Sequence, residues 1–177
     1  DRNYVHEAPE ARKNVVWALA TQQQYAAQWA PAAINLAQAH TRTTGSGVRV
    51  AVLDTGVDAT HPLLAGRLLP GFDFVDFDAN PAEVPGGVAY GHGTHVAGVL
   101  GSTLGIGSDG GGGARVQRDM RGMVPGARLV ALKVLNDAGV GRDSDVIAAI
   151  DRAIALKNSY NIRVMNLYLG LPATVSY

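Results

Sequence analysis

Two side chains stand where they could do chemistry. Asp54 closes the apolar run Val48-Arg49-Val50-Ala51-Val52-Leu53 and precedes Thr55-Gly56, while His92 lies in the string GHGTHVAG, residues 91–98. A carboxylate that follows such a run is buried, and a buried carboxylate has to be hydrogen-bonded or paired. Thr55 and Gly56 offer donors, and an imidazole N–H is the natural further partner. A carboxylate-held imidazole is equipped to act as a general base. Glycine on each side of His92 allows close backbone approach and leaves the ring unshielded at a helix start. The helix amino terminus disfavours the imidazolium and keeps the ring neutral near pH 7, whereas Asp54 stabilises the cation once it forms. Taken alone, Asp-Thr-Gly also suits an aspartate that merely caps a turn, and a histidine between glycines also suits a structural role.

His95, three residues after His92, opens a metal reading: His92, His95 and Asp54 around zinc. The helical zinc signature instead spaces its histidines four apart with a glutamate between them, and Gly93 and Thr94 fill the gap here. The expectation is therefore no metal among these residues, with His95 packed on the inner helix face. Gly110 to Gly113 lacks both the preceding buried strand and the closing Gly-Lys-Ser/Thr of a phosphate loop, and reads as a surface loop within Gly105–Gly113.

Pro31 to His40 reads as helical turns with proline near a helix start. Val48 to Leu53, Arg128 to Leu135 and Ile162 to Leu169 are near-continuous apolar runs, as expected of parallel strands covered on both faces. Gly71 to Val75 is a shorter strand candidate. A helix is expected from His92 toward Leu100. A second is expected over Asp143 to Lys157, with Val146, Ile147, Ile150, Ile154 and the Lys157 stem on one face and Asp143 or Ser144 as cap. Val15 to Ala20 reads as a helix start. Strands alternating with helices imply an α/β sheet with right-handed crossovers, whose ligands bind beyond the carboxyl ends of strands. Asp54, Leu135 and Leu169 all stand at such ends.

The chain has 177 residues, 47% hydrophobic and 17% charged, with zero formal net charge and no cysteine. That length suits one folded unit. Zero net charge argues against nucleic acid or an acidic membrane as partner, because both demand a basic excess. Disulfides and thiol catalysis are excluded, and no apolar stretch is long enough to span a bilayer. Asp1 in place of methionine, without a charged-then-apolar leader, fits a removed leader or a piece of a longer product.

In this order, TGSGVRVAVLDTGVD, GHGTHVAG, PGARLVALKVLNDAGVG and VMNLYLG resemble the subtilisin-like serine proteases over about residues 25–170. The resemblance implies a three-layer αβα fold with a mostly parallel sheet, here truncated after the third core strand. Residues 25–177 would be the amino-terminal part of a catalytic domain, and residues 1–24 a linker or propeptide-tail-like segment. It implies a serine endopeptidase working through an acyl-enzyme, secreted, with a peptide or protein as substrate and an inhibitory propeptide as a further partner. Asp54 would support the base and His92 would be the base. Gly139, Val140 and Gly141 would pair with an extended substrate on one side, Leu169 and Gly170 on the other, and Leu135 would line an adjoining pocket.

Three departures from the family pattern stand out. Tyr168 replaces the usual serine before Leu-Gly. Leu63 stands where calcium-binding members often carry aspartate after His-Pro, so any calcium in the full-length protein would bind elsewhere. The nucleophilic serine and the oxyanion asparagine fall outside the sequence, and Ser46, Ser102, Ser108, Ser144, Ser159 and Ser176 are in the wrong settings to replace that serine. In subtilisin itself, loss of the nucleophile costs about 10⁶ in kcat, so the chain alone is expected to be inactive. The alternative expectation is a non-catalytic half-domain that binds peptides.

Overall fold

A computed structural model describes residues 5–7, 28–103 and 121–170. Among these residues the chain runs β1 (Val5–Glu7), α1 (Trp29–Ala33), α2 (Leu36–His40), β2 (Arg49–Asp54), a 3-10 turn at Pro62–Leu64, β3 (Leu68–Asp73) and α3 (His92–Gly101). It continues with β4 (Arg128–Lys133), β5 (Val140–Arg142), α4 (Asp143–Ala155) and β6 (Ile162–Leu167). The helix start expected at Val15 to Ala20 and the glycine loop at Gly105 to Gly113 lie outside the described residues.

The four longer strands form one parallel sheet in the order β3-β4-β2-β6. Alternation along the two central strands sorts their side chains into two cores. Val50 and Val52 of β2, with Leu129 and Ala131 of β4, pack with Ala97 of α3. Ala51 and Leu53, with Val130 and Leu132, pack with Val146, Ala149 and Ala153 of α4. Helices therefore cover both faces, which is the expected three-layer αβα arrangement. Both central strands are buried on both sides and so read as unbroken apolar runs.

Four local expectations are corrected. The third strand begins at Leu68 rather than Gly71. Pro70 lies in it, tolerated because β3 is an edge strand and its register shifts between Leu69 and Phe72. The helix α4 buries Val146, Ala149 and Ala153 and leaves Ile147 and Ile154 each 58% exposed, so its inward stripe is rotated toward the alanines. Its cap position is Arg142, with no side-chain cap bond, and Asp143 falls inside the first turn. Finally, β6 is buried only at its start: Ile162 joins the core beside α4, whereas Val164, Met165 and Leu167 are exposed on what is, among the described residues, the outer strand beside β2.

At the carboxyl end of β4, Lys133 is 2% exposed and pairs with Asp73 of β3 at 2.7 Å, with Asp76 at 3.7 Å. A buried ammonium needs such a partner, and the pair ties β3 to β4 beside the strand tips that carry the site.

Candidate active site

Three strand or helix ends meet at one place. Asp54 is the last residue of β2, and its main-chain oxygen accepts from Val134 N (2.9 Å) and Leu135 N (3.2 Å), so the end of β4 is fastened to it. His92 is the first residue of α3. The two side chains meet at 2.6 Å between Asp54 Oδ1 and His92 Nδ1. Asp54 is 1% and His92 8% exposed. The same Oδ1 also accepts from Thr55 N at 2.7 Å, so the oxygen that meets the imidazole is also held by the backbone.

The residue after His92 has to be glycine. A Cβ at Gly93 would stand 2.0 Å from the Gly56 carbonyl oxygen and 3.1 Å from Asp54 Cβ. Helix α3 can therefore lie against the turn after β2 only where that carbon is missing, and this close approach brings the imidazole onto the carboxylate. The ring is not left open, as its glycine neighbours suggested. Tyr168 stacks on it with centroids 5.4 Å apart and planes 3° apart.

His95 is exposed on the outer side of α3 and not packed inward. No group of three or more histidine, aspartate or glutamate side chains among the described residues is placed to hold a metal ion. His95, with His61, Glu83, Thr94, Val99 and Ser102, helps line a cavity of about 710 Å³ beside α3, and neither Asp54 nor His92 belongs to that cavity. Asp58, two residues past Gly56, is held below the usual carboxylate range by the hydroxyl and amide of Thr60, with His61 adding a smaller pull.

The other residues singled out in the sequence gather near this end of the sheet. Leu135 is wholly buried, in one core with Leu169 packed against it. Gly139 closes a turn in which Gly139 N donates to Asn136 O, and Asn136 Oδ1 accepts from Ala138 N and Val140 N at 3.0 Å. Val140 and Gly141 belong to β5, which pairs antiparallel with β1 in the register Val5 to Arg142, His6 to Gly141 and Glu7 to Val140. Leu169 and Gly170 follow β6 and are half-buried. Ser46 and Ser159 precede β2 and β6 and so lie toward the opposite end of the sheet, and Ser102 follows the last turn of α3, about 15 Å of helix from His92.

Sequence reasoning passed over Glu83. This carboxylate is 7% exposed and bonded to the two threonines that follow Asp54 and Gly93. The available signal was a helix whose cap residue, Gly91, has no side chain to bond its first amides.

Comparison with known proteins bears on the same stretch. The profile of the subtilase family matches residues 45–176. The chain is 38% identical over 133 residues to the minor extracellular protease Vpr of Bacillus subtilis (strain 168), covering 72% of this chain and 14% of that protein. It is 37% identical over 134 residues to an intracellular serine protease of Paenibacillus polymyxa, covering 76% of this chain and 36% of that protein. Among solved structures, Sphericase superposes with a TM-score of 0.55 at 35% identity over 70% of this chain and 37% of that one. The chain thus spans well under half the length of these relatives.

Proposed function

Because the chain belongs to the subtilase family, we propose that it is the amino-terminal part of a serine endopeptidase, with Asp54 and His92 as two members of its catalytic triad. The observation that carries this reading is the buried 2.6 Å contact between Asp54 Oδ1 and His92 Nδ1. With Nδ1 held by the carboxylate, Nε2 would take a proton from a serine hydroxyl and later return it to the leaving amine. Asp54 holds the tautomer and stabilises the imidazolium as it forms. The serine and its oxyanion donor would come from sequence beyond residue 177.

Substrate would be a peptide or protein, laid as an added strand between Gly139–Gly141 and Leu169–Gly170, with Leu135 beneath it. The pairing of β1 with β5 supports that role for the Gly139–Gly141 edge, since it is an extended segment of the chain seated there. Residues 1–24 would then act as a propeptide tail and residues 25–177 as catalytic-domain sequence. Secretion is part of the proposal, supported by the name of the extracellular relative. No helix among the described residues is long and apolar enough to cross a membrane.

A second reading, a half-domain that binds peptides without cutting them, draws on the same β1–β5 pairing. The exposed apolar side chains of β6 weigh against it. Intact mass and labelling of the natural product by a serine-directed phosphonate separate the two. A product longer than 177 residues that is labelled, and whose His92→Ala variant loses about 10⁶ in kcat as subtilisin does, supports the peptidase. An unlabelled product ending at Tyr177 that binds peptides supports the half-domain.

A further inference from the structure

Glu83 is a second buried carboxylate beside the Asp54–His92 pair, and the proton transfers described above give it no task. Its Oε1 accepts from Thr55 Oγ1 at 2.5 Å and from Gly93 N at 3.2 Å, and its Oε2 accepts from Thr94 Oγ1 at 2.5 Å. The backbone fixes the direction of both hydroxyls. Thr55 Oγ1 accepts from Gly93 N at 3.0 Å, and Thr94 Oγ1 accepts from Asp58 N at 2.8 Å. Each hydroxyl has one proton to give, and each gives it to Glu83. The carboxyl group meets donors only, which is the setting of an ionised acceptor.

The amino end of α3 explains why such an acceptor is present. Its cap residue is Gly91, at φ +92°, with no side-chain cap bond. The first amides of a helix need partners, and here Gly93 N finds them on Glu83 and Thr55, from two other segments of the chain. A negative charge at that end also opposes the helix dipole, which by itself disfavours a charged imidazole at the first position.

We propose that Glu83 is a positioning residue for His92. It caps α3 from outside, locks the turn after β2 to the first turn of the helix through two threonine hydroxyls, and favours the imidazolium that base catalysis requires. This rests on the reading of Asp54 and His92 as a catalytic pair. Among the described residues, Asp54 from β2 and Tyr168 after β6 face the imidazole, and Glu83 acts on it through the helix end.

The test is NMR of the whole chain with isotope-labelled histidine, following the His92 Nδ1 proton and the pH at which the ring titrates. In the unsubstituted chain a low-field Nδ1 proton shared with Asp54 is expected. In Glu83→Gln the amide would turn a donor toward a hydroxyl that is itself donating, so that low-field signal is expected to be lost, and the ring to give up its proton at lower pH. Thr94→Val, which removes one anchor, should displace the signal, and Thr94→Ser should retain it. This threonine pair decides the matter if the glutamine variant does not fold. A Glu83→Gln chain that is less stable to urea but keeps both His92 readouts unchanged would overturn the proposal and leave Glu83 a simple helix cap. Absence of the low-field proton in the unsubstituted chain would overturn the Asp54–His92 reading instead.

Discussion

The phenol of Tyr168 lies flat over the imidazole of His92, and it covers one face of the ring that, on the proposed reading, exchanges protons. Offset aromatic pairs contribute about 0.5–1.5 kcal/mol beyond the area they bury. Tyr168→Ser is therefore expected to speed acylation of His92 by diethyl pyrocarbonate by about 2- to 10-fold, the same energy expressed as a rate. An unchanged rate would mean that the phenol does not guard the ring. Asp54 and His92 were legible in the sequence because their residue types and their glycine and threonine neighbours announce them. Glu83 was not. It sits among Pro81, Ala82, Val84 and Pro85, a setting that reads as open loop. Its partners come from other segments, Thr55 after β2 and Gly93 and Thr94 of α3, and no local pattern encodes a partner supplied from elsewhere in the chain.

At the scale of elements, the approach of α3 to the turn after β2 is set by a single missing carbon. Gly93→Ala would drive a methyl group to within 2.0 Å of the Gly56 carbonyl. A loss of about 1–3 kcal/mol in urea-unfolding stability is expected, with the Asp54–His92 contact lengthened. A variant of full stability would mean that the helix can step back at no cost. The two central strands were legible because burial on both faces leaves unbroken apolar runs. The stripe of α4 was not, because Ile147 and Ile154 outweigh Ala149 and Ala153 in hydrophobicity although the sheet has room for the smaller side chains. Pro70 hid the start of β3, since proline in a strand is ordinarily a reason to doubt the strand.

At the scale of the whole molecule, the apolar run of β6 was read correctly as a strand and wrongly as a buried one, because sequence reports what a strand is built to be covered by and not whether the cover is there. Met165 is 37% and Leu167 42% exposed, on a strand whose outer edge has no neighbour among the described residues. Such an edge invites association between copies. Replacing both with lysine is expected to reduce light scattering by the isolated chain while changing unfolding stability by no more than about 0.5 kcal/mol. Scattering that persists would place the sticky surface elsewhere. The opposite situation holds at β5, whose edge is closed by Val5–Glu7 of the same polypeptide. That occupant travels with the edge it covers, so dilution cannot strip it away, and any free strand has to outcompete a tethered rival before it can dock.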